Sequence, residues 1–148
     1  MTRPAPNRAE IAVLIATYHR YGAERREEDF WAWYRVDDII RDEDPARAWE
    51  LVLALVQTAP DGSLDYIGAG PVEDLVNRHG AALVDSIIVE ASRDSRFREA
   101  LASIWLVQED VPADVLVRLQ KATGNRIHVA TRAQLDAATP PDLKDPRS

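Results

Sequence analysis

Residues 70–105, GPVEDLVNRHGAALVDSIIVEASRDSRFREALASIW, decide the fold. Gly70-Pro71-Val72-Glu73 sets a permissive residue, a proline and an acid in the order a helix start requires. Gly80 stands where a left-handed stop belongs, so the first helix is predicted over residues 71–79. Leu83, Ile87, Ile88 and Ala91 then recur at three- and four-residue spacing and predict a second helix. Ser95 caps a third, whose Phe97, Leu101, Ile104 and Trp105 line one face. Glu73 at the third helical position is accounted for by capping and by the helix dipole.

The same signals recur upstream. Asn7 is a good N-cap for a helix carrying Ile11, Leu14, Ile15 and Tyr18, with Gly22 as its stop. A second helix is predicted over about residues 27–41, with Glu27, Glu28 and Asp29 at its positive end. Asp44-Pro45 opens a third through about Gln57. Its segment Trp49–Val56 is apolar nearly all round and belongs at the centre. Ala59-Pro60-Asp61-Gly62 is a turn before a short helix at residues 63–67. Downstream, residues 110–122 form another amphipathic helix ended by Gly124. Residues 127–130 suit a short extended piece and 131–138 a last helical turn or two. No convincing set of period-two strands is present. The expected fold is all-α: a single domain over residues 1–138 with six to eight short helices, arranged as a bundle or a short stack of helical hairpins. Residues 139–148, with three prolines, are expected to form a mobile tail.

Composition narrows the function classes. A chain of 148 residues, 46% apolar and 29% charged, can bury roughly two-thirds of its unfolded surface in one core. It has no cysteine, which excludes disulfides, thiol catalysis and Cys-ligated zinc. The first ten residues hold no apolar signal core, and no apolar run is long enough to span a bilayer, so a cytoplasmic setting is expected. Net charge is −7 and every Arg cluster is interleaved with acids, which argues against nucleic acid and anionic membranes and for a basic protein partner. Arginine outnumbers lysine 16 to 2, so no single arginine marks phosphate recognition.

The central block also carries a pattern: Trp49, then Gly70, Pro71, Glu73, Asp74 and Leu75, then His79-Gly80, Ala91, Phe97, Ala100-Leu101 and Trp105. It resembles a family of small bacterial proteins of unknown function over about residues 46–105. The resemblance implies a helical domain. It implies no activity and no catalytic residues.

Candidate sites follow from residue chemistry. In Phe30-Trp31-Ala32-Trp33-Tyr34, Trp31 and Trp33 point about 200° apart on a helix, so one core face cannot take both. Phe30, Trp33 and Tyr34 fit the inner face. Trp31 then packs under the first helix, seals a homodimer, or stands exposed for a partner. With Tyr34 and the acids Asp37 and Asp38 it forms the expected partner-binding surface. Asp38–Asp42 is a repulsive i,i+4 pair, and Asp37–Arg41 an attractive one. Asp74 and His79 are the candidates for an inter-helix pocket. They lie five residues apart, off one helical face, and no His/Glu spacing supports a metal site. No phosphate loop, nucleophile elbow or dinucleotide fingerprint occurs, so no cofactor is expected. The sequence favours a protein–protein interaction or inhibitory module, of which an immunity- or antitoxin-like protein is one form. The alternative is a small-molecule-binding protein or enzyme built on Asp74 and His79.

Overall fold

The computed structural model describes residues 7–42 and 44–138. The fold is all-α, as the periodicity predicts. Helix α1 (Arg8–Glu24) leads through a 3-10 turn at Glu27–Asp29 into α2 (Phe30–Asp42), followed by α3 (Pro45–Thr58). A 3-10 turn at Asp61–Ser63 opens α4 (Leu64–Ile67), which continues through a π-helical turn, Gly68–Val72, into the 21-residue α5 (Glu73–Arg93). Then come α6 (Ser95–Ala102), strand β1 (Trp105–Val107), α7 (Ala113–Thr123), strand β2 (His128–Ala130) and α8 (Arg132–Ala138). The tail expected at 139–148, and Glu43 of the acidic run, lie outside the described residues.

Caps do what their residue types dictate. Asn7 accepts from the Glu10 amide at 2.9 Å, and the Glu10 carboxylate accepts the Asn7 amide at 3.3 Å, a reciprocal capping box. Asp44 accepts from the Arg47 amide at 3.0 Å with Pro45 at the first helical position. The core gathers around α3 and α5. Ala48, Leu51, Val52, Leu55 and Val56 of the first, with Leu75, Val76, Ile87 and Ala91 of the second, are buried. Phe97 and Leu101 of α6 close it, with Trp49 edge-on to Phe97 at 5.5 Å. Arg96 ties α6 to the end of α3 by donating to the Val56 carbonyl at 3.2 Å, to the Ala59 carbonyl, and to Asp61 at 2.7 Å.

Three glycines correct the expected boundaries. Gly22 does not stop α1, which runs on until Arg25 turns left-handed at φ 55°. Gly80 does not separate two helices, because α5 passes straight through it. Gly22 is a close approach instead, and Gly80 an ordinary helical position. A Cβ at Gly22 would meet the Tyr66 ring at 3.1 Å, and one at Gly80 would touch Val115 at 3.6 Å. Gly70-Pro71 is not a helix start either, since the chain is already helical. Proline has no amide proton, and its ring collides with the carbonyl four residues back. The wider π turn removes that clash: the Glu73 amide donates to the Gly68 carbonyl, five residues upstream. Among the glycines, Gly124, at φ 65°, is the one that serves as a left-handed stop.

The end of α6 also departs from expectation. Asp94 rather than Ser95 is its N-cap, accepting from the Arg96 amide at 2.9 Å. The helix finishes at Ala102, so Trp105 is not on its face. Buried Ile104 and Leu106 flank Trp105, which is 59% exposed, the alternation of a strand. β1 pairs in parallel with β2, Trp105 opposite His128, with α7 as the crossover.

The glycine assignments have opposite mutational signs. Gly80→Ala gains helix propensity at ordinary contact distances and is expected to stabilise by roughly 0.5–1 kcal/mol. Gly68→Ala would place a Cβ 2.2 Å from the Ala100 carbonyl oxygen and is expected to cost about 1–3 kcal/mol or more. Denaturant melts of the two variants check this; loss of stability at Gly80→Ala would contradict the uninterrupted helix.

Candidate functional site

Helix α2 presents two different surfaces. Its buried face consists of Ala32, Val36, Ile39 and Ile40. Ala32 is fully buried on the inner side of the hairpin that α2 forms with α1. The larger neighbours therefore turn outward. Trp31 is 48% exposed, Tyr34 56% and Trp33 38%, which corrects the inward placement expected for Trp33 and Tyr34. Phe30 is half-buried, with Trp33 stacked on it at 5.7 Å and Tyr34 edge-on at 4.9 Å. Trp31 is not covered by α1. With Val13, Leu14 and Tyr34 it walls a groove of about 910 Å³ between the two helices. Glu10, Arg35 and Asp38 supply its polar lining. Asp37 is bonded to Arg41, and Asp38 lies 3.9 Å from the same guanidinium.

A second cavity, of about 350 Å³, opens where the π turn meets α1 and α2. Asp74 lines it, with Tyr18, Tyr66, Arg25, Trp33 and Asp37. The Tyr18 side chain is buried, and a Cβ on Gly70 would lie 3.5 Å from its hydroxyl oxygen. Burial, then Tyr66 and Asp74, push the Tyr18 phenol far above its ordinary pKa, so it stays protonated. The Arg25 guanidinium sits over the rings of Tyr21 and Tyr66, 5.3 and 4.9 Å from their centroids. Burial raises the Asp74 pKa, and the Asp37 carboxylate raises it further, against weaker opposition from Arg78 and Arg41.

The other sequence candidates go elsewhere. The His79 Nε2 lies 2.7 Å from the Ile40 carbonyl, tying α5 to the C-terminal part of α2. Asp74 lines the cavity and His79 does not. Glu73 does not cap a helix start: its carboxylate accepts the Trp105 amide at 2.7 Å and so fixes β1 against α5. Burial raises its pKa, partly offset by that bond. Trp105 lies against His128, ring centroids 3.7 Å apart. Among the described residues no three His, Asp or Glu side chains converge as a metal ion would require, and no helix is long and apolar enough to cross a membrane.

The chain belongs to a family of unknown function, DUF6869, whose model matches residues 19–127. The match reaches beyond residues 46–105 on both sides, taking in the end of α1, all of α2 and all of α7. No curated protein and no solved structure matches the chain.

One contact that sequence spacing did not reveal sets the pose of α2. Arg20 of α1 donates through Nε and Nη2 to the two carboxylate oxygens of Asp29 at 2.9 and 2.8 Å, and Asp29 is only 3% exposed. Asp29 was expected to serve the dipole alone; here it clamps the turn that aims the aromatic residues. Hydrogen bonding by Arg20, outweighing burial, holds the Asp29 carboxyl below the ordinary value of 3.8. A depressed acid stabilises the fold above its unfolded pKa and stops doing so as pH falls through its folded one. Urea melts of wild type and Asp29→Asn should therefore differ near neutrality, wild type being more stable. That gap should close once the pH lies well below 3.8. A gap unchanged by acid would show that the clamp contributes nothing as an ion pair.

Proposed function

We propose that this DUF6869 member is a cytoplasmic protein-interaction module that works by covering a partner's surface, in an inhibitory, immunity- or antitoxin-like manner. Its α1–α2 groove receives an amphipathic helix whose apolar anchors are flanked by basic residues. The observation that carries this reading is the outward cluster of Val13, Trp31 and Tyr34 around a groove of about 910 Å³. Large aromatics left half in water gain most from a partner that dries them, which is why interface hot spots favour Trp and Tyr. Helix-in-groove recognition needs such a trough with anchor positions one turn apart. Trp31, Tyr34 and Asp38 supply successive turns along one flank of α2.

Charge selects the class of partner. The chain carries −7 overall, and in the groove the acids Glu10 and Asp38 outnumber the one base, Arg35. Complementary charges speed encounter and reject like-charged competitors. A basic helix fits on both counts.

The test is quantitative binding to a partner recovered with the wild-type protein. Trp31→Ala should weaken the affinity by about 30-fold or more, the scale of a hot-spot residue, while its far-ultraviolet circular dichroism stays unchanged. Asp38→Lys should slow association, and more so at low salt. A partner held equally well by wild type and Trp31→Ala would sink the groove as the interface. A concentration-dependent dimer of the purified chain, abolished by Trp31→Ala in light scattering, would replace the foreign helix with a second copy.

A further inference from the structure

We propose that the cavity of about 350 Å³ beside the π turn is a binding site for a small zwitterion of the amino-acid class, its ammonium held by Asp74 and its carboxylate by Arg25. The inference stands apart from the α1–α2 groove. It uses different residues, on the other flank of α2.

Two opposite charges line this cavity without a salt-bridge partner. Among the described residues, no cation lies within ion-pairing distance of Asp74, and no carboxylate within that distance of Arg25. Asp37, the third charged group, is already satisfied by Arg41. A half-buried carboxylate without a partner carries a desolvation cost, and its natural remedy is a cationic donor. Burial already works against the charged form of Asp74, and a bound ammonium would reverse that. Arg25, fixed over two tyrosine rings, presents a planar fork suited to a carboxylate. A purely cationic ligand would leave Arg25 unanswered, and a purely anionic one would face Asp74.

Both charges act on one hydroxyl that lines the same cavity. Buried Tyr18 is held protonated, hydrogen-bonded to Tyr66, and feels Asp74 and Arg25 as well. The rest of the wall is largely apolar: Trp33 and Val36 on α2, Tyr66 on α4, and Ala69 and Pro71 of the π turn. The volume lies near the lower end of about 300–1,000 Å³ for small-molecule sites, which suits a single amino acid rather than a nucleotide or a peptide. The π turn is what assembles it. A plain α-helical turn would place Asp74 about 100° differently relative to Tyr66, and π turns recur at functional sites for this reason.

The experiment is a titration of the full-length, isotope-labelled protein with each of the twenty standard amino acids, followed by amide chemical shifts at Ala69 and Gly70. The strongest binder is then compared with its decarboxylated amine and its deaminated acid. If leucine leads, these are isoamylamine and 4-methylpentanoate. Saturable shifts are expected for the amino acid, with both single-charge analogues roughly tenfold weaker or worse. Asp74→Asn and Arg25→Gln should each lose about the same factor, and Arg25→Lys should recover part of it. Asp74 is half-buried and Arg25 exposed, so neither change opens the core, and thermal melts verify that the variants fold. An amine that binds as tightly as its amino acid would overturn the zwitterion. So would binding insensitive to both Asp74→Asn and Arg25→Gln, or no shift from any amino acid at millimolar concentration.

Discussion

Where any other residue would carry a Cβ, Gly68 lets the backbone of the helix beginning at Leu64 lie directly on the backbone of α6. A Cβ there would be 2.2 Å from the Ala100 carbonyl oxygen and 2.9 Å from the Ser103 Cβ. Much of the interior depends on that approach. It brings Ile67 and Val72 into the core beside Leu101 and lets the long α5 run across α2, α3 and α6 at once. It also places the strain of Pro71 inside a helix instead of at its start. The chain relieves that strain by widening one turn, and the widening sets the direction in which Asp74 leaves the helix. Close packing at Gly68, the π turn that starts there and the cavity beside it are thus neighbours in one short stretch of chain.

Much of the fold could be read in sequence because its signals are local. Asn7 with Glu10, Asp44 with Pro45, and Gly124 each act within one helical turn, and the apolar run Trp49–Val56 identifies the centre whatever surrounds it. The failures share a physical cause. Glycine is favoured both where φ is positive and where two backbones touch, and sequence cannot separate the two reasons. Gly68 belongs to the second kind, Gly22 makes room for the Tyr66 ring, and Gly80 is an ordinary helical position, and only the partners Ala100, Tyr66 and Val115, distant in sequence, reveal it. Trp105 was misplaced similarly. Three residues are too few for a period of two to register, and the parallel partner at His128 lies beyond an intervening helix.

The candidate sites were legible in part. The 200° divergence of Trp31 and Trp33 is a property of any helix, and it required that one of them leave the core. Both did. In Phe30-Trp31-Ala32-Trp33-Tyr34 the inner position belongs to the smallest residue, Ala32, because the side of α2 that faces its neighbours has no room there for an aromatic ring. Size alone was a poor guide where helices cross closely. Asp74 was singled out because capping did not explain it, whereas its neighbours come from two other segments, Tyr18 and Arg25 from α1 and its C-cap, and Tyr66 from α4. Residues 18 and 25 stand two turns apart on one helix, but no spacing rule joins them to 66 and 74. Arg20 and Asp29, on opposite sides of a helix break, are hidden for the same reason.

The two cavities are complementary products of a single hairpin. Helices α1 and α2 bury one face each, so each keeps two flanks, and the flanks differ in what stands opposite them. On one side none of the described residues covers the hairpin, and Leu14, Trp31 and Tyr34 line an open, mostly apolar groove. On the other side the π turn closes over it, and Tyr18, Trp33 and Asp37 become walls of a smaller, charged cavity. On α2 the division is by flank, with Trp31 and Trp33 pointing opposite ways, whereas on α1 it is along the axis, with Leu14 and Tyr18 one turn apart on the same face. The Arg20–Asp29 clamp sits at the joint between these helices and fixes the angle on which both depend. Open apolar flanks suit macromolecular contact, and closed flanks with opposed charges suit small polar ligands. One supersecondary unit therefore supplies both kinds of surface, and the difference between them is set by the reach of the turn at Gly68–Val72.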